Sequence, residues 1–226
     1  MRIPVWATLF TALGVLILIS LGTWQVQRLN WKNDIIAKLD SAYAGQDDQV
    51  LDLNAAENSD FAYGRLSGKF LPNKAIALGP KTHDGKVGYH VLAPMNIDGA
   101  RDVIVNLGWA NQPFETLPLF EIPKNMTVEV SGLTRKPEWN SFTSANSPER
   151  ELWFRADIAE IAEAKNLNNT YPFILYAEHI SENAQNVLME SQRWYPRNKH
   201  FQYALFWYAM AGALIGVYFL RFIRKN

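Results

Sequence analysis

The sequence predicts a membrane protein in which two transmembrane helices, one near each end, flank a mainly β (α+β) extramembrane domain. Residues 3 to 27 and residues 201 to 220 carry no charged side chain. Each stretch is long enough to cross a hydrocarbon core of roughly 30 Å as a helix. Between them lie all 22 acidic residues, and turns divide that sequence into short runs with an alternating apolar pattern. Such runs are typical of strands.

The first apolar stretch predicts a transmembrane helix over residues 1–27. Trp6 and Trp24 lie near its two ends, where aromatic residues favour the membrane boundary. We expect the helix to continue to about residue 43, because neither Pro nor Gly follows Gly22 before that point. A cleaved signal peptide is the alternative. Against it, the apolar run exceeds the usual length of about 7–15 residues and no A-x-A-like site follows.

Gln25, Arg28 and Lys32 recur at helical spacing just where this apolar stretch ends. Two interpretations of this polar stripe remain open. It is either a contact for an anionic group held at the membrane surface, or a set of long side chains that extend from the apolar region to reach water.

Residues 44–197 predict the β-rich domain. We expect strands over 62–70, 75–78, 88–95, 103–109, 126–133 and 171–177, a short helix over 156–164 and a loop over 45–60. Gly79-Pro80 is expected to end the second strand, and Asp98-Gly99 to form a hairpin turn. Pro172 predicts either the first residues of the last strand or an edge position for it.

The second transmembrane helix is predicted over residues 198–222, followed by a tail over 223–226. His200 lies at its entrance, and Tyr203, Ala204 and Trp207 follow on the same helical face. A second face, nearly opposite to His200, carries only small residues that allow close helix approach; it consists of Ala209, Gly212, Ala213 and Gly216. The sequence leaves open which face meets the first helix.

The composition excludes several classes of function. The absence of cysteine excludes disulfides, thiolate zinc sites and cysteine nucleophiles, and it argues against a Cu(I) chaperone. The segment between the two apolar stretches is mildly acidic, so it lacks the excess of basic residues that indicates nucleic-acid binding. The chain has no P-loop, GxGxxG, GxSxG or HExxH motif, so we expect no enzyme. Two spans place both tails on one side, but the basic residues are nearly balanced across each span and do not set the orientation.

A series of different short motifs extends along nearly the whole chain. They are Gly22-x-Trp24-Gln25-x-x-Arg28-x-x-Trp31-Lys32, Arg65-x-x-Gly68-x-Phe70, Gly88-Tyr89-His90-Val91-Leu92-Ala93-Pro94, Val105-Asn106-Leu107-Gly108-Trp109, Gly132-Leu133-x-Arg135, Pro172-Phe173 and Asn198-x-His200-x-x-Tyr203-Ala204-x-x-Trp207. Together with the two-helix topology, these motifs resemble the Surfeit locus protein 1 family of cytochrome oxidase biogenesis factors. Leu107 and Phe206 depart from the family, which usually has Arg and Thr at those positions.

This resemblance implies a protein of the bacterial inner membrane, with cytoplasmic tails and a periplasmic β domain. It implies that the chain assists the maturation of a haem-copper (cytochrome c) oxidase by binding haem a and presenting it to the catalytic subunit. The implied partners are that subunit, haem a synthase and membrane lipid. The implied ligand of the haem iron is His200.

Around His200, the expected haem-binding residues are Tyr203 and Trp207, which share its face and present aromatic rings to the macrocycle. Arg28, Lys32 and Arg197 are expected near the anionic propionates if the two helices pair, a hypothesis that rests on their shared depth. Two rival functions remain. One is a cofactor-free scaffold for an oxidase intermediate, and the other is a membrane-tethered periplasmic enzyme.

Overall fold

The computed structural model describes residues 4–44, 49–97, 101–123, 125–189 and 193–224, and it divides into two compact units. One unit is a helix pair formed by residues 1–39 and 195–226, and the other is a domain formed by residues 40–194. Within these described ranges, two helices are long and apolar enough to cross a membrane: α1 (Val5–Tyr43), and α4 (His200–Tyr218) with its π-type extension Phe219–Ile223. The predicted fold class is confirmed, since these helices flank a sheet-rich domain.

The described residues of the domain form a six-stranded sheet and two short helices. The strands are β1 (Phe61–Phe70), β2 (Ile76–His83), β3 (Lys86–Ile97), β4 (Arg101–Ala110), β5 (Val128–Arg135) and β6 (Ile174–Ile180). The helices are α2 (Leu53–Asn58) and α3 (Ile158–Ala164).

The sheet closes on itself into a small barrel. Its strand order is β1-β5-β6-β4-β3-β2, and β1 also pairs with β3 through Lys69↔Asn96 and Phe70↔Met95. Strands β1, β5, β6, β4 and β3 therefore form a ring, while β2 extends it as a hairpin with β3. Closure leaves few unpaired backbone groups at the strand edges.

Side chains that alternate along a strand pack into two separate cores, because successive side chains point to opposite faces of the sheet. Val91, Ala93 and Met95 of β3 belong to the larger cluster, whereas Leu92 belongs to the smaller one. The smaller cluster lies on the opposite face of these strands and is covered by α3 and the fully buried Trp153.

Three local predictions differ from the structure. The predicted loop over 45–60 contains helix α2, because the Asp52 side chain accepts hydrogen bonds from the backbone of Asn54 and Ala55 and so caps its first turn. Gly79-Pro80 does not end the second strand, since β2 continues through this cis peptide bond with a shift in register. Pro172 precedes β6, which lies inside the sheet and not at its edge. The predicted turn at Asp98-Gly99 lies outside the described residues.

Gly132 is required where β5 shifts register against β6. A Cβ atom there would lie 2.0 Å from the carbonyl oxygen of Tyr176, a backbone atom inside the ladder. We expect Gly132→Ala to lower the free energy of unfolding of the domain by about 3 kcal/mol, because the two strands must separate. Urea denaturation of the full-length protein in detergent measures this loss.

The matched control is Gly85→Ala, in the turn between β2 and β3. A Cβ at Gly85 meets no atom within 4 Å, and only its left-handed φ of +77° opposes the change. A cost of about 1 kcal/mol follows from that conformation. Equal losses for the two variants would show that the contact of β5 with β6 does not require Gly132.

Candidate functional site

Within the helix pair, α1 and α4 run antiparallel along a line that we call the helix seam. It comprises the buried or half-buried residues Thr8, Thr11, Val15, Leu18, Gly22 and Gln25 of α1 and His200, Ala204, Trp207, Ala211, Leu214 and Tyr218 of α4. The spacing alternates between three and four residues, as in helices that pack side by side at a shallow angle.

Polar and small side chains join the two helices along this seam. The hydroxyl of Thr8 lies 2.6 Å from that of Tyr218, and the hydroxyl of Thr23 lies 3.1 Å from that of Tyr208. The Tyr208 ring lies directly over Gly22, where a Cβ atom would approach it to 2.7 Å. Hydroxyl pairs of this kind hold helices together in an apolar medium, where water cannot replace them.

His200 is the first residue of α4, and its ring is half-buried against α1. Its Nδ1 atom lies 2.7 Å from the amide oxygen Oε1 of Gln25. Among the residues that the structure describes, Gln25 is the only hydrogen-bond partner of this ring, and Nε2 has none. Just before the helix, the Asn198 amide donates to the Asn33 side-chain oxygen over 2.9 Å.

The two aromatic residues predicted beside His200 lie in different environments. Trp207 is half-buried on the seam, two helical turns after His200, and its ring meets that of Phe206 edge-on at 5.3 Å between centroids. Tyr203 leaves the seam and is 53% exposed. The face that the sequence groups together is therefore split, with Trp207 near α1 and Tyr203 on the open side.

The three predicted cations do not contact His200 in the described structure. The Arg28 guanidinium lies over the rings of Trp31 and Trp24, at 4.9 and 6.0 Å from their centroids, and the Lys32 ammonium lies 5.3 Å from Trp31. Arg197 is exposed in the extended segment that leads into α4. No ion pair involves any of the three within the described ranges.

Sequence reasoning missed the role of Gln25, which it assigned to a polar stripe with Arg28 and Lys32. Gln25 is only 9% exposed, whereas Arg28 is exposed. The available signal was the spacing of Gln25 from Gly22 and Leu18, which continues the apolar pattern of the helix and places Gln25 on its packed face.

The small-residue face of α4 points away from the seam. Gly212 is exposed, and a Cβ atom at either Gly212 or Gly216 would meet no atom within 4 Å. The structure thus answers the question that the sequence left open: α1 packs against the face that carries His200, and the face that carries Ala209, Gly212, Ala213 and Gly216 does not contribute to this pairing.

The β domain offers a shallow groove of about 550 Å³ lined by residues that include Glu57, Lys136, Trp139 and Asp157. Both carboxylates already have structural partners. Glu57 pairs with Arg101 at 3.2 Å, and Asp157 caps α3. In the described parts of the chain, no group of three or more His, Asp or Glu side chains could hold a metal ion.

Another histidine, His90 of β3, has a buried Nδ1 atom without a hydrogen-bond partner among the described residues. Burial is the largest influence on its pKa and lowers it from the ordinary value of 6.5. The neighbouring Asn106 side chain raises this pKa, and the nearby charge of Lys81 lowers it. The net effect is a lowered pKa, so the folded domain favours the neutral ring.

A lowered pKa in the folded state makes the unfolded chain bind more protons than the folded chain below about pH 6.5. We therefore expect the free energy of unfolding of the domain to fall as the pH drops from 7 towards 5. His90→Gln should reduce this slope by up to about 1.4 kcal/mol per pH unit. Urea denaturation at several pH values measures both slopes, and identical slopes would contradict the assignment to His90.

The helix seam can be tested at Gly22. We expect Gly22→Val to weaken the pairing of α1 with α4 by about 1–3 kcal/mol, because the added side chain displaces the Tyr208 ring. The natural chain lacks cysteine, so Asn33→Cys with Asn198→Cys provides a unique pair for a short bifunctional maleimide. The yield of cross-linked helices should fall in the Gly22→Val background.

The same substitution at Gly212 is the control, because its Cβ position is open. Gly212→Val should keep the cross-linking yield of the parent pair. A yield that is also unchanged by Gly22→Val would mean that the Tyr208 ring does not set the helix packing.

Comparison with known proteins assigns the chain to a family. The SURF1 family model matches residues 12–212. A SURF1-like protein of Rickettsia felis is 28% identical, with 93% of each chain covered, and a SURF1-like protein of Dictyostelium discoideum is 25% identical over 91% of this chain and 92% of its own. Surfeit locus protein 1 of Mus musculus is 27% identical over 92% of this chain and 72% of its own. The matched region begins within α1, includes the whole β domain and ends within α4, and the chain therefore belongs to the SURF1 family.

Proposed function

We propose that this protein is an assembly factor for a haem-copper oxidase that holds haem a at the membrane boundary and passes it to the catalytic subunit. Haem a is its cargo, and the protein itself performs no turnover chemistry. The proposal combines the family membership with the oxidase role that the motifs imply. The observation that carries it is the state of His200, whose Nδ1 is held by Gln25 while Nε2 has no partner in the described structure.

The surroundings of His200 suit an amphipathic macrocycle. Residues 201 to 220 carry no charge, so an apolar substituent placed along α4 would remain in lipid. Trp207 on the seam and the exposed Tyr203 offer aromatic faces for packing. A neutral imidazole nitrogen is a good axial ligand of haem iron. The residues present therefore fit the group.

Anionic propionates need cations near the aqueous edge. Arg28 and Lys32 lie one and two turns beyond Gln25 on α1, towards the end of the apolar stretch, and Arg197 lies three residues before His200. The present partners of Arg28 and Lys32 are the rings of Trp24 and Trp31, which leave the charges available to an anion, and Arg197 is exposed. We propose these three side chains as the propionate contacts.

The proposed setting is the bacterial inner membrane, with both tails in the cytoplasm and the β domain in the periplasm. There the chain would receive haem a from haem a synthase and release it to the oxidase. The groove in the β domain is a weak candidate for an active site, because neither of its carboxylates is available for catalysis. Glu57 pairs with Arg101, and Asp157 caps the first turn of α3.

The deciding test is an optical spectrum of the full-length protein purified from membranes of cells that also make haem a. We expect a haem a band in the wild type and at least a tenfold loss of bound haem in His200→Ala, because the iron loses its protein ligand. His179→Ala, which removes an exposed histidine of β6, is the matched control and should retain the band.

A cofactor-free scaffold is the second candidate, and the open Gly212-x-x-x-Gly216 face of α4 favours it. Such a face allows another transmembrane helix to approach closely. A colourless protein from a haem-replete host that still copurifies with the catalytic subunit would support the scaffold and reject the carrier. Full haem retention in His200→Ala would also reject His200 as the ligand.

A further inference from the structure

We infer that Gln25 is a positioning residue for His200: its amide oxygen holds the proton of the imidazole on Nδ1, so that Nε2 presents the lone pair to a metal. This inference rests on the proposed function for its consequence, since it names the residue of α1 that prepares the ligand on α4. The role follows from one contact, from the burial of that contact and from the chemistry of the two groups.

The contact is forced by burial. Gln25 is the one buried polar side chain in the described part of the helix pair, and the uncharged stretch of α1 surrounds it. A buried amide without a partner costs roughly 1–3 kcal/mol in proteins. The His200 ring supplies the partner at 2.7 Å, a short distance for a hydrogen bond between nitrogen and oxygen.

The chemistry of the pair fixes the position of the proton. A carboxamide oxygen can only accept, so a ring nitrogen that faces it must donate. The neutral imidazole has one proton, and placing it on Nδ1 leaves the lone pair on Nε2. Histidines that bind metals commonly donate their other N–H to an oxygen acceptor, which fixes the tautomer and the ring orientation.

The acceptor type also matches a carrier. A neutral amide accepts a weaker hydrogen bond than a carboxylate, which would be charge-assisted and would make the imidazole a stronger donor to iron. An amide therefore orients the ligand without strengthening its bond to the metal as much. Such a moderate ligand suits a protein that must release its cargo to a partner.

The first test needs no haem. In full-length protein with ¹⁵N-labelled histidine, in detergent micelles, the four histidines give ring signals that His200→Ala assigns. We expect a protonated Nδ1 and an unprotonated Nε2 for His200 in the wild type. Gln25→Met keeps the length and shape of the side chain but removes the acceptor, so the Nε2–H tautomer should become the major form.

Two further variants separate positioning from general damage. Gln27→Met makes the same change at an exposed glutamine two residues away and should keep the wild-type tautomer. Gln25→Glu keeps an acceptor oxygen at the same length and should restore protonated Nδ1. A wild-type ring protonated on Nε2, or a tautomer that does not change in Gln25→Met, would overturn the inference, because the amide would then not direct the proton.

The second test measures the consequence. In haem a-replete cells, Gln25→Met should weaken haem retention by about tenfold relative to Gln27→Met, while His200 is still present. Retention equal to that of Gln27→Met would overturn the role of Gln25 in ligand preparation. If the wild type binds no haem, the carrier function fails, and the tautomer measurement alone decides whether Gln25 positions the ring.

Discussion

The hydrogen bond between Gln25 and His200 joins two helices across a sequence separation of 175 residues. Each group is costly to bury alone in an apolar environment, and each satisfies the other. The 3–4 spacing of packed residues along α1 and α4 determines that these two side chains meet. The histidine proposed as the haem ligand thus contacts a residue of the other helix. The proposed site therefore requires the helix pair rather than either helix alone.

Near this contact, two basic side chains of α1 pack over aromatic rings. Arg28 lies 4.9 Å from the centre of the Trp31 ring, and Lys32 lies 5.3 Å from it. An exposed cation–π contact contributes about 0.5–1 kcal/mol. A hydrogen bond to a charged group contributes about 1.5–3 kcal/mol, so an anionic group of a ligand would compete successfully for these cations. The tryptophan rings therefore hold the two cationic side chains in place and leave their charges able to bind an anion.

The β domain meets a different constraint, which is the pairing of strand edges. The ring closes through only two residue pairs between β1 and β3, Lys69↔Asn96 and Phe70↔Met95. The ring has no room for a side chain where two backbones approach closely. At Gly132, for example, an added Cβ atom would collide with the carbonyl oxygen of Tyr176. A Cβ atom at Gly88 would likewise collide with the carbonyl oxygen of Ala110. Packing therefore explains the glycines of the family motifs Gly132-Leu133 and Gly88-Tyr89-His90 without any ligand.

The sequence by itself determined the two apolar helices and the strands between them, because hydropathy and residue spacing are local properties. His200 became the candidate ligand only through the resemblance of the sequence motifs to the family. It did not reveal that Asp52 caps α2, that β1 meets β3 or that α1 packs on the His200 face of α4. Gln25 illustrates the reason. Its sequence neighbours suggest a polar stripe, but its burial depends on a helix that begins at His200. Which polar groups become partners is decided by packing between distant segments, and only the tertiary structure contains that information.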